Sequence, residues 1–242
     1  MTGTLLNIAT VLVGGLVGLL FGARLPERVR LTIIAGLGLF TAAIGIQMFL
    51  ETENPIIVLG SLLVGGLLGE WWRIEDGLKG LGGTLERKFT RQDSSSRSTD
   101  SSQGSLFIRG FLTASLVFCV GPMTILGSIQ DGLAGDYSLL AIKAVLDGFA
   151  AMAFAASLGV GVLFSILVIL VYQGGLTLLA AQAQTLITSA MMDEMTAVGG
   201  ILLVGIAVSN LLEIKPIRVA NFLPALLIAP LVVGVLAALR IG

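Results

Sequence analysis

Apolar runs of about 20 residues recur along the chain, and short segments that hold most of the charges separate them. A helix needs ~20 apolar residues to cross a hydrocarbon core ~30 Å thick, so each run predicts one membrane span. The 45 residues between Asp147 and Asp193 carry no charge, and a straight helix of that length would measure roughly 68 Å. This stretch must therefore fold back, with a tight turn around residues 157–161. The eight predicted spans cover residues 3–22, 31–50, 55–72, 110–130, 138–157, 160–183, 195–212 and 219–239.

Composition supports the same fold class, an all-α polytopic membrane helix bundle. Hydrophobic residues make up 55% of the chain and charged residues 12%, against about 25% charged in ordinary soluble domains. A water-soluble enzyme is therefore excluded, and the lipid bilayer is the expected partner. The net charge of -1 gives no basic surface for nucleic acid. There is no His and a single Cys119, so we expect no metal site, no cofactor and no intrachain disulfide.

The distribution of Lys and Arg predicts the orientation. The loops after spans one, three and seven hold three, seven and two of the 14 basic residues, and an eight-span chain places these loops on one face. The positive-inside rule makes that face cytoplasmic, so both termini are expected outside. The first span lacks the basic start of a secretory signal and is interpreted as a retained helix.

An internal repeat and a linker suggest the domain organisation. Residues 35–48 resemble residues 197–210, since both are rich in small apolar residues, end near a polar amide and precede an acid and a Pro-Ile pair. Equivalent spans are five apart, an odd number, so the two copies would be inverted, as in many transporters, although two Gly-rich helices also align by chance. The predicted parts are a first repeat (1–90), a Ser-rich cytoplasmic linker expected to be disordered (91–104), central spans (105–157) and a second repeat (158–242). Residues 70–89 are expected to form an amphipathic helix, either in contact with lipid or a mere connector.

Span four contains a predicted helix break. Pro122 follows Gly121 inside the apolar run, and its ring removes one N–H and displaces the carbonyl of Phe118. Freed backbone at membrane depth needs protein or a water-filled cavity around it, so this segment is a candidate ligand-lining site. A purely structural kink is the alternative. Helical spacing then places three polar residues on one face, either as a polar stripe or as a helix end that reaches water: Thr124, Ser128 and Asp131.

Asp147 is the sharpest candidate site residue. It lies about nine residues inside span five, ~13 Å deep by helical rise, where burying a charge costs at least ~2.5 to 3.5 kcal/mol. Lys143 stands four residues earlier on the same face and is expected to neutralise it. The two interpretations are a structural ion pair with Lys143 reaching outward, and a site for a solute, an ion or a proton.

Other polar and small residues have two interpretations each. Gln47, Gln173 and Asn210 lie within or near spans, where interhelical hydrogen bonds explain many such groups without a ligand. Gln47 and Asn210 occupy near-equivalent places in the predicted repeat. Glycines spaced by four allow close helix packing, either inside the bundle or in a homodimer; they are Gly14, Gly18, Gly22, Gly65 and Gly69.

Several segments together resemble one known family. These are residues 121–132 (GPMTILGSIQDG), 143–148 (KAVLDG), 172–180 (YQGGLTLLA) and the opening 3–8 (GTLLNI). They are similar to the bacterial membrane proteins grouped as domain of unknown function 554, the YqgA/YdfK-like family. The resemblance spans nearly the whole chain apart from the linker. It implies an uncharacterised protein of the prokaryotic inner membrane and supplies no activity and no site residue.

The sequence thus favours a small secondary transporter or channel for a polar solute or an ion, with the broken helix and the buried carboxylate as its site. The alternative is a non-transporting membrane scaffold or sensor that meets a partner through the Ser-rich linker. An enzyme is not expected, because a Ser/His dyad needs a His, and an aspartyl mechanism needs two facing carboxylates where only Asp147 is clearly deep.

Overall fold

The computed structural model describes residues 1–89, 100–180 and 187–239, and every regular element in these ranges is a helix. The all-α fold class is confirmed. Ten α-helices are described: α1 Thr2–Gly22, α2 Glu27–Phe49, α3 Pro55–Trp72, α4 Ile74–Phe89, α5 Asp100–Cys119, α6 Pro122–Ala134, α7 Ser138–Leu158, α8 Ser165–Leu178, α9 Ser189–Ile206 and α10 Ala225–Ala238. Short 3₁₀ helices cover Val160–Phe164 and Val219–Phe222, and a π-helical turn covers Ala207–Leu211.

Membrane-spanning helices account for most of the described chain. Seven are long and apolar enough to cross a bilayer, or eight if the bent pair α5 and α6 forms a single span. The predicted spans correspond to them closely, and α9 starts earlier, at Ser189 instead of residue 195. The end of predicted span six, residues 181–183, lies outside the described residues.

The predicted break in span four is confirmed. Helices α5 and α6 are bent by 62° at the segment between Cys119 and Met123. Gly121 adopts a φ of 153°, and α6 begins at Pro122. Proline suits the first residue of a helix because its missing N–H has no partner there in any case. The Gly-Pro pair therefore ends one helix and starts another at a sharp angle.

The uncharged stretch after Asp147 folds back as predicted. Helix α7 ends at Leu158, and Gly159 follows with φ 84° and ψ −163°, a conformation that only glycine adopts readily. A 3₁₀ helix over Val160–Phe164 then leads into α8.

The amphipathic helix begins later than the sequence predicts. Residues 70–72 continue α3, and Arg73 stops that helix in a left-handed conformation with φ 52°. Helix α4 therefore starts at Ile74 instead of Glu70. Most of the Ser-rich linker lies outside the described residues, and its last residues, 100–104, have helical backbone at the start of α5.

The chain divides into two compact units. Unit 1 comprises residues 1–35, 76–119 and 123–180, and unit 2 comprises residues 36–75, 120–122 and 181–242. The inverted repeat and its boundaries stay predictions.

Within unit 1, α1 and α7 run parallel in close contact. A Cβ added to Gly14, Gly18 or Gly22 would collide with the backbone of residues that follow one another at the same spacing on α7, namely Gly148, Met152 and Ala156. The glycine series therefore lets two backbones approach inside the chain.

The glycines of α3 likewise allow close backbone packing inside unit 2. A Cβ on Gly65 would meet the backbone of Ala225, and one on Gly69 would meet the carbonyl of Asn221. Both small-residue series thus pack within the chain. The homodimer stays a prediction, and these glycines no longer support it.

Candidate functional site

A buried ion pair lies halfway along α7. Asp147 is the tenth of its 21 residues, and Lys143 stands one turn earlier. Their exposed fractions are 9% and 7%, and Nζ of Lys143 donates to Oδ2 of Asp147. The two charges therefore neutralise each other in the interior of unit 1, where neither is well hydrated.

Two amides from other helices join this pair. Nδ2 of Asn7, on α1, donates to Oδ2 of Asp147 at 3.0 Å and to Oε1 of Gln173, on α8, at 2.9 Å. Asn7 and Gln173 are both fully buried. Asn7 thus connects the carboxylate of α7 to the amide of α8, and three helices of unit 1 meet through polar side chains.

Two hydroxyl groups extend the connection toward the start of α1. Nε2 of Gln173 donates to Oγ1 of Thr4 at 3.3 Å, and Oγ1 of Thr4 lies 3.4 Å from Oγ1 of Thr177. Thr177 in turn donates to the backbone carbonyl of Gln173 at 3.0 Å. We call the six buried residues the polar junction: Thr4, Asn7, Lys143, Asp147, Gln173 and Thr177.

Two acceptor atoms of the polar junction are unused. Oδ1 of Asn7 is buried and has no hydrogen-bond partner in the described part of the chain. Rotating this amide would turn its oxygen toward the Asp147 carboxylate, so Nδ2 must be the atom that faces Asp147. The hydrogen bonds to Asp147 from described residues all reach Oδ2, which leaves Oδ1 open while the side chain stays 12% exposed. The junction therefore offers unused acceptors, which suit a ligand that donates hydrogen bonds or carries positive charge.

The polar stripe of α6 is buried in unit 1. Thr124 and Ser128 are fully buried, and Asp131 is 4% exposed, so this face of the helix does not open into water. Oγ1 of Thr124 donates to the carbonyl of Phe118 at 3.3 Å, and Oγ of Ser128 donates to the carbonyl of Thr124 at 2.5 Å. Thr124 therefore satisfies the carbonyl that the break in span four was expected to free.

Asp131 has a helix-capping position. Its Oδ2 accepts the backbone N–H of Gly3 at 3.1 Å, in the first turn of α1. A carboxylate there compensates the unpaired N–H groups and the positive end of the helix dipole. Asp131 thus fixes the start of α1, one turn before Asn7.

The remaining predicted site residues lie in unit 2. Gln47 is exposed on α2, Asn210 is half-buried in the π-helical turn, and Gly121 lies at the break with Pro122. The described hydrogen bonds of the polar junction include none of these residues. The junction thus contains Asp147, Lys143 and Gln173 from the predicted set.

Sequence reasoning missed three members of the polar junction as candidates, namely Thr4, Asn7 and Thr177. Asn7 is the one amide in the apolar run of span one, and this isolation was the available signal. A polar group alone in a span is expected to face a protein partner instead of lipid, yet the identity of that partner follows only from the fold.

Unit 2 contains two polar networks of its own. The Glu194 carboxylate, 3% exposed, accepts the hydroxyl of Thr52 at 2.7 Å and the backbone N–H groups of Glu53 and Asn54 at 3.1 and 2.9 Å. It holds the loop before α3, where the Asn54 side chain caps the helix.

The second network joins the end of α3 to the chain before α10. Asn221 accepts the backbone N–H of Glu75 at 2.8 Å and donates to Glu70 at 2.6 Å. Arg218 pairs with the other oxygen of the Glu70 carboxylate at 2.6 Å. These groups satisfy one another, so we interpret both networks as structural.

The polar junction contains one carboxylate, one ammonium, two amides and two hydroxyl groups. In the described residues no three His, Cys, Asp or Glu side chains lie together as a metal site would require. The described partners of Asp147 are an ammonium and an amide, whereas aspartyl catalysis needs a second carboxylate.

Comparisons with known proteins agree with a membrane protein. The family model described as "Protein of unknown function (DUF554)" matches residues 2–234. The chain is 36% identical over 228 residues to "Uncharacterized protein YqgA" of Escherichia coli (strain K12), with 94% of each chain covered. It is 31% identical over 242 residues to "Uncharacterized membrane protein YdfK" of Bacillus subtilis (strain 168), with 98% of each covered. No solved structure matches.

Proposed function

This chain belongs to the DUF554 family of multi-pass membrane proteins, and we propose that it is a small transporter or channel for a cation. The observation that carries the proposal is the polar junction, above all the pairing of Asp147 with both Lys143 and Asn7. The proposal includes the prokaryotic inner membrane as its location, with the basic loops in the cytoplasm and both termini outside.

The arrangement of the junction supports a ligand site over simple helix association. Interhelical hydrogen bonds in membranes contribute ~0.6 to 2 kcal/mol each and need one or two polar residues. Here six buried polar residues meet, and Oδ1 of Asn7 is left without a partner in the described residues. An unsatisfied buried acceptor costs about 1 to 3 kcal/mol, and a bound cation or a protonated group would remove that cost.

The Lys143 ammonium would compete with a bound cation for the Asp147 carboxylate. This ammonium occupies Oδ2 of Asp147 when no ligand is bound. A cation that binds the carboxylate through Oδ1, with Oδ1 of Asn7 as a further ligand, would weaken the hold of Lys143 on Asp147. This exchange keeps the carboxylate neutralised, and it requires Lys143 to release its proton when the cation binds, because a buried ammonium without a counter-ion is as costly as a bare carboxylate.

The bend between α5 and α6 is compatible with the proposal. Broken helices in transporters form at substrate sites, where irregular backbone is tolerated next to protein or a cavity. Thr124 satisfies the Phe118 carbonyl at the break. The break is therefore compatible with a stable membrane protein and does not require a ligand of its own.

Flux through liposomes tests the proposal. Purified protein is reconstituted, and the uptake of H⁺, Na⁺, K⁺ and methylammonium is measured against empty liposomes. We expect flux of at least one of these cations and at least a tenfold loss in Asp147→Asn. Asp136→Asn is the matched control, because Asp136 is an exposed carboxylate in the loop before α7, and this variant should keep full flux.

Two results would overturn this assignment. One is flux of every tested cation no faster than in empty liposomes, which would favour the scaffold or sensor. The other is flux that Asp147→Asn leaves unchanged. A further variant, Lys143→Met, removes the competing ammonium, so we expect the transported cation to raise its melting temperature more than that of the unmodified chain.

A further inference from the structure

A second site in unit 1 is formed at the end of α1 opposite the Asp131 cap. A cavity of about 340 Å³ lies among the last turns of α1 and α7, the first turns of α2, the end of α4 and residues 106–107 of α5. This volume is at the lower end of small-molecule sites, ~300 to 1,000 Å³. The cavity uses none of the residues of the polar junction.

Ser157 is the buried polar group of this cavity. It is 1% exposed, it lines the cavity, and its Oγ has no hydrogen-bond partner among the described residues. A serine within a helix normally donates to a carbonyl one turn earlier, and Ser165 on the next span makes such a local bond to Val162 at 2.7 Å. The lack of a partner for the Ser157 hydroxyl among the described residues therefore indicates that it binds a ligand in the cavity.

Two opposite charges line the same space. Arg30 is half-buried, and its Nε is enclosed without a hydrogen-bond partner in the part of the chain that the structure describes. Glu86, also half-buried, lines the cavity from α4. The described ion pairs do not join these two side chains. One cation and one anion are thus held apart around a shared cavity.

The other walls are apolar and belong to the ends of membrane spans. Leu19, Phe107 and Leu158 contribute to them. Helix α4, which carries Glu86, has charged residues along one side and leucines at helical spacing, as in helices that lie at a membrane surface. The cavity therefore combines an apolar lining with two separate, opposite charges at the level where lipid headgroups are expected.

We propose that this cavity binds the headgroup of an aminophospholipid, with the phosphate on Arg30 and Ser157 and the ammonium beside Glu86. Guanidinium groups bind phosphate through several parallel hydrogen bonds, and a serine hydroxyl supplies one more donor. The carboxylate of Glu86 selects a headgroup that carries a positive charge. The acyl chains stay in the bilayer, since the cavity has room only for the headgroup and part of the glycerol.

Native mass spectrometry of the full chain in detergent tests this proposal. The probes are dioleoyl phosphatidylethanolamine, dioleoyl phosphatidylglycerol and free phosphoethanolamine. We expect phosphatidylethanolamine to bind more tightly than phosphatidylglycerol by about fivefold or more. If free phosphoethanolamine binds weakly, the bilayer is the source of the ligand. If it binds as tightly as phosphatidylethanolamine, the lipid proposal is overturned and the ligand is a soluble phosphate compound.

Variants of Arg30, Ser157 and Glu86 test the three proposed lipid contacts one at a time. Arg30→Gln should weaken lipid binding by at least about tenfold and Ser157→Ala by about threefold to tenfold, as expected for charged and neutral hydrogen bonds. Glu86→Gln should remove the preference for phosphatidylethanolamine over phosphatidylglycerol. Arg28→Gln is the matched control, because Arg28 is an exposed cation two residues away on α2 that does not line the cavity.

The proposal fails if Ser157→Ala and Arg30→Gln bind phosphatidylethanolamine as tightly as the unmodified chain. It also fails if Arg28→Gln loses as much affinity as Arg30→Gln, because binding would then depend on net charge alone. Ser157→Ala removes a single oxygen, so it keeps the test decisive even if Arg30→Gln does not fold.

Discussion

Asn7 and Asp147 are 140 residues apart in the chain, and a hydrogen bond of 3.0 Å joins their side chains inside unit 1. The contact depends on the parallel packing of α1 against α7, in which glycines bring the two backbones close together. The same carboxylate oxygen accepts the Lys143 ammonium. Variants at these positions distinguish the contacts that hold the fold from those that would serve a ligand.

Removing only one of the two charges of the Lys143–Asp147 pair should strongly destabilise the protein. Asp147→Leu leaves a buried ammonium without its partner, and such a loss costs about 3 to 5 kcal/mol of stability. The double variant Lys143→Met with Asp147→Leu should recover most of this loss, because both charges are gone. Melting temperatures in detergent check this, and a double variant no more stable than Asp147→Leu would contradict it.

The close packing of α1 and α7 should depend on Gly18. Even a Cβ there would collide with the backbone carbonyl of Met152, so Gly18→Ala must push the helices apart. We expect a strong loss of folded protein in size-exclusion chromatography. Gly60→Ala is the matched control, since a Cβ on Gly60 meets nothing within 4 Å, and it should be neutral or stabilising by up to ~1 kcal/mol. Equal yields of the two variants would refute the packing role.

Thr124 should stabilise the break between α5 and α6. Thr124→Val keeps the shape of the side chain and removes the hydroxyl that donates to the Phe118 carbonyl. The carbonyl would then be buried without that bond, at a cost of about 1 to 3 kcal/mol. Thr124→Ser retains the hydroxyl and should be less destabilised, and the order of the two melting temperatures checks the assignment.

Glu194 should hold the loop before α3. Glu194→Ala removes the carboxylate that accepts the backbone N–H groups of Glu53 and Asn54. Hydrogen bonds to a charged group contribute about 1.5 to 3 kcal/mol, so amide exchange at these two residues should rise at least about tenfold. Asp193→Ala changes the adjacent acid and should leave their exchange rates unchanged.

Local patterns were sufficient to predict the spans and the break. An uncharged run of about 20 residues must form a helix in lipid, because lipid supplies no partner for backbone N–H and C=O groups. Pro122 interrupts a helix wherever that helix packs. The i,i+4 spacing also placed Lys143 beside Asp147, since residues four apart on a helix are neighbours.

Local patterns gave less guidance where an element ends or where a polar side chain finds its partner. The sequence offered no signal that Arg73 would adopt a left-handed conformation and delay α4 to Ile74. Thr124, Ser128 and Asp131 were correctly placed on one face of a helix, but their buried hydrogen bonds to Phe118, Thr124 and Gly3 required the packed structure.

The sequence by itself determined that the chain crosses a membrane as a helical bundle and where span four breaks, because these features depend on the solvent and on neighbours along one helix. The tertiary structure alone decided that Asn7 and Gln173 join Asp147, and that Arg30, Glu86 and Ser157 surround one cavity. The physical reason is distance along the chain. A hydrogen bond between helices depends on their register and direction, and these are set by backbone packing that no single segment encodes.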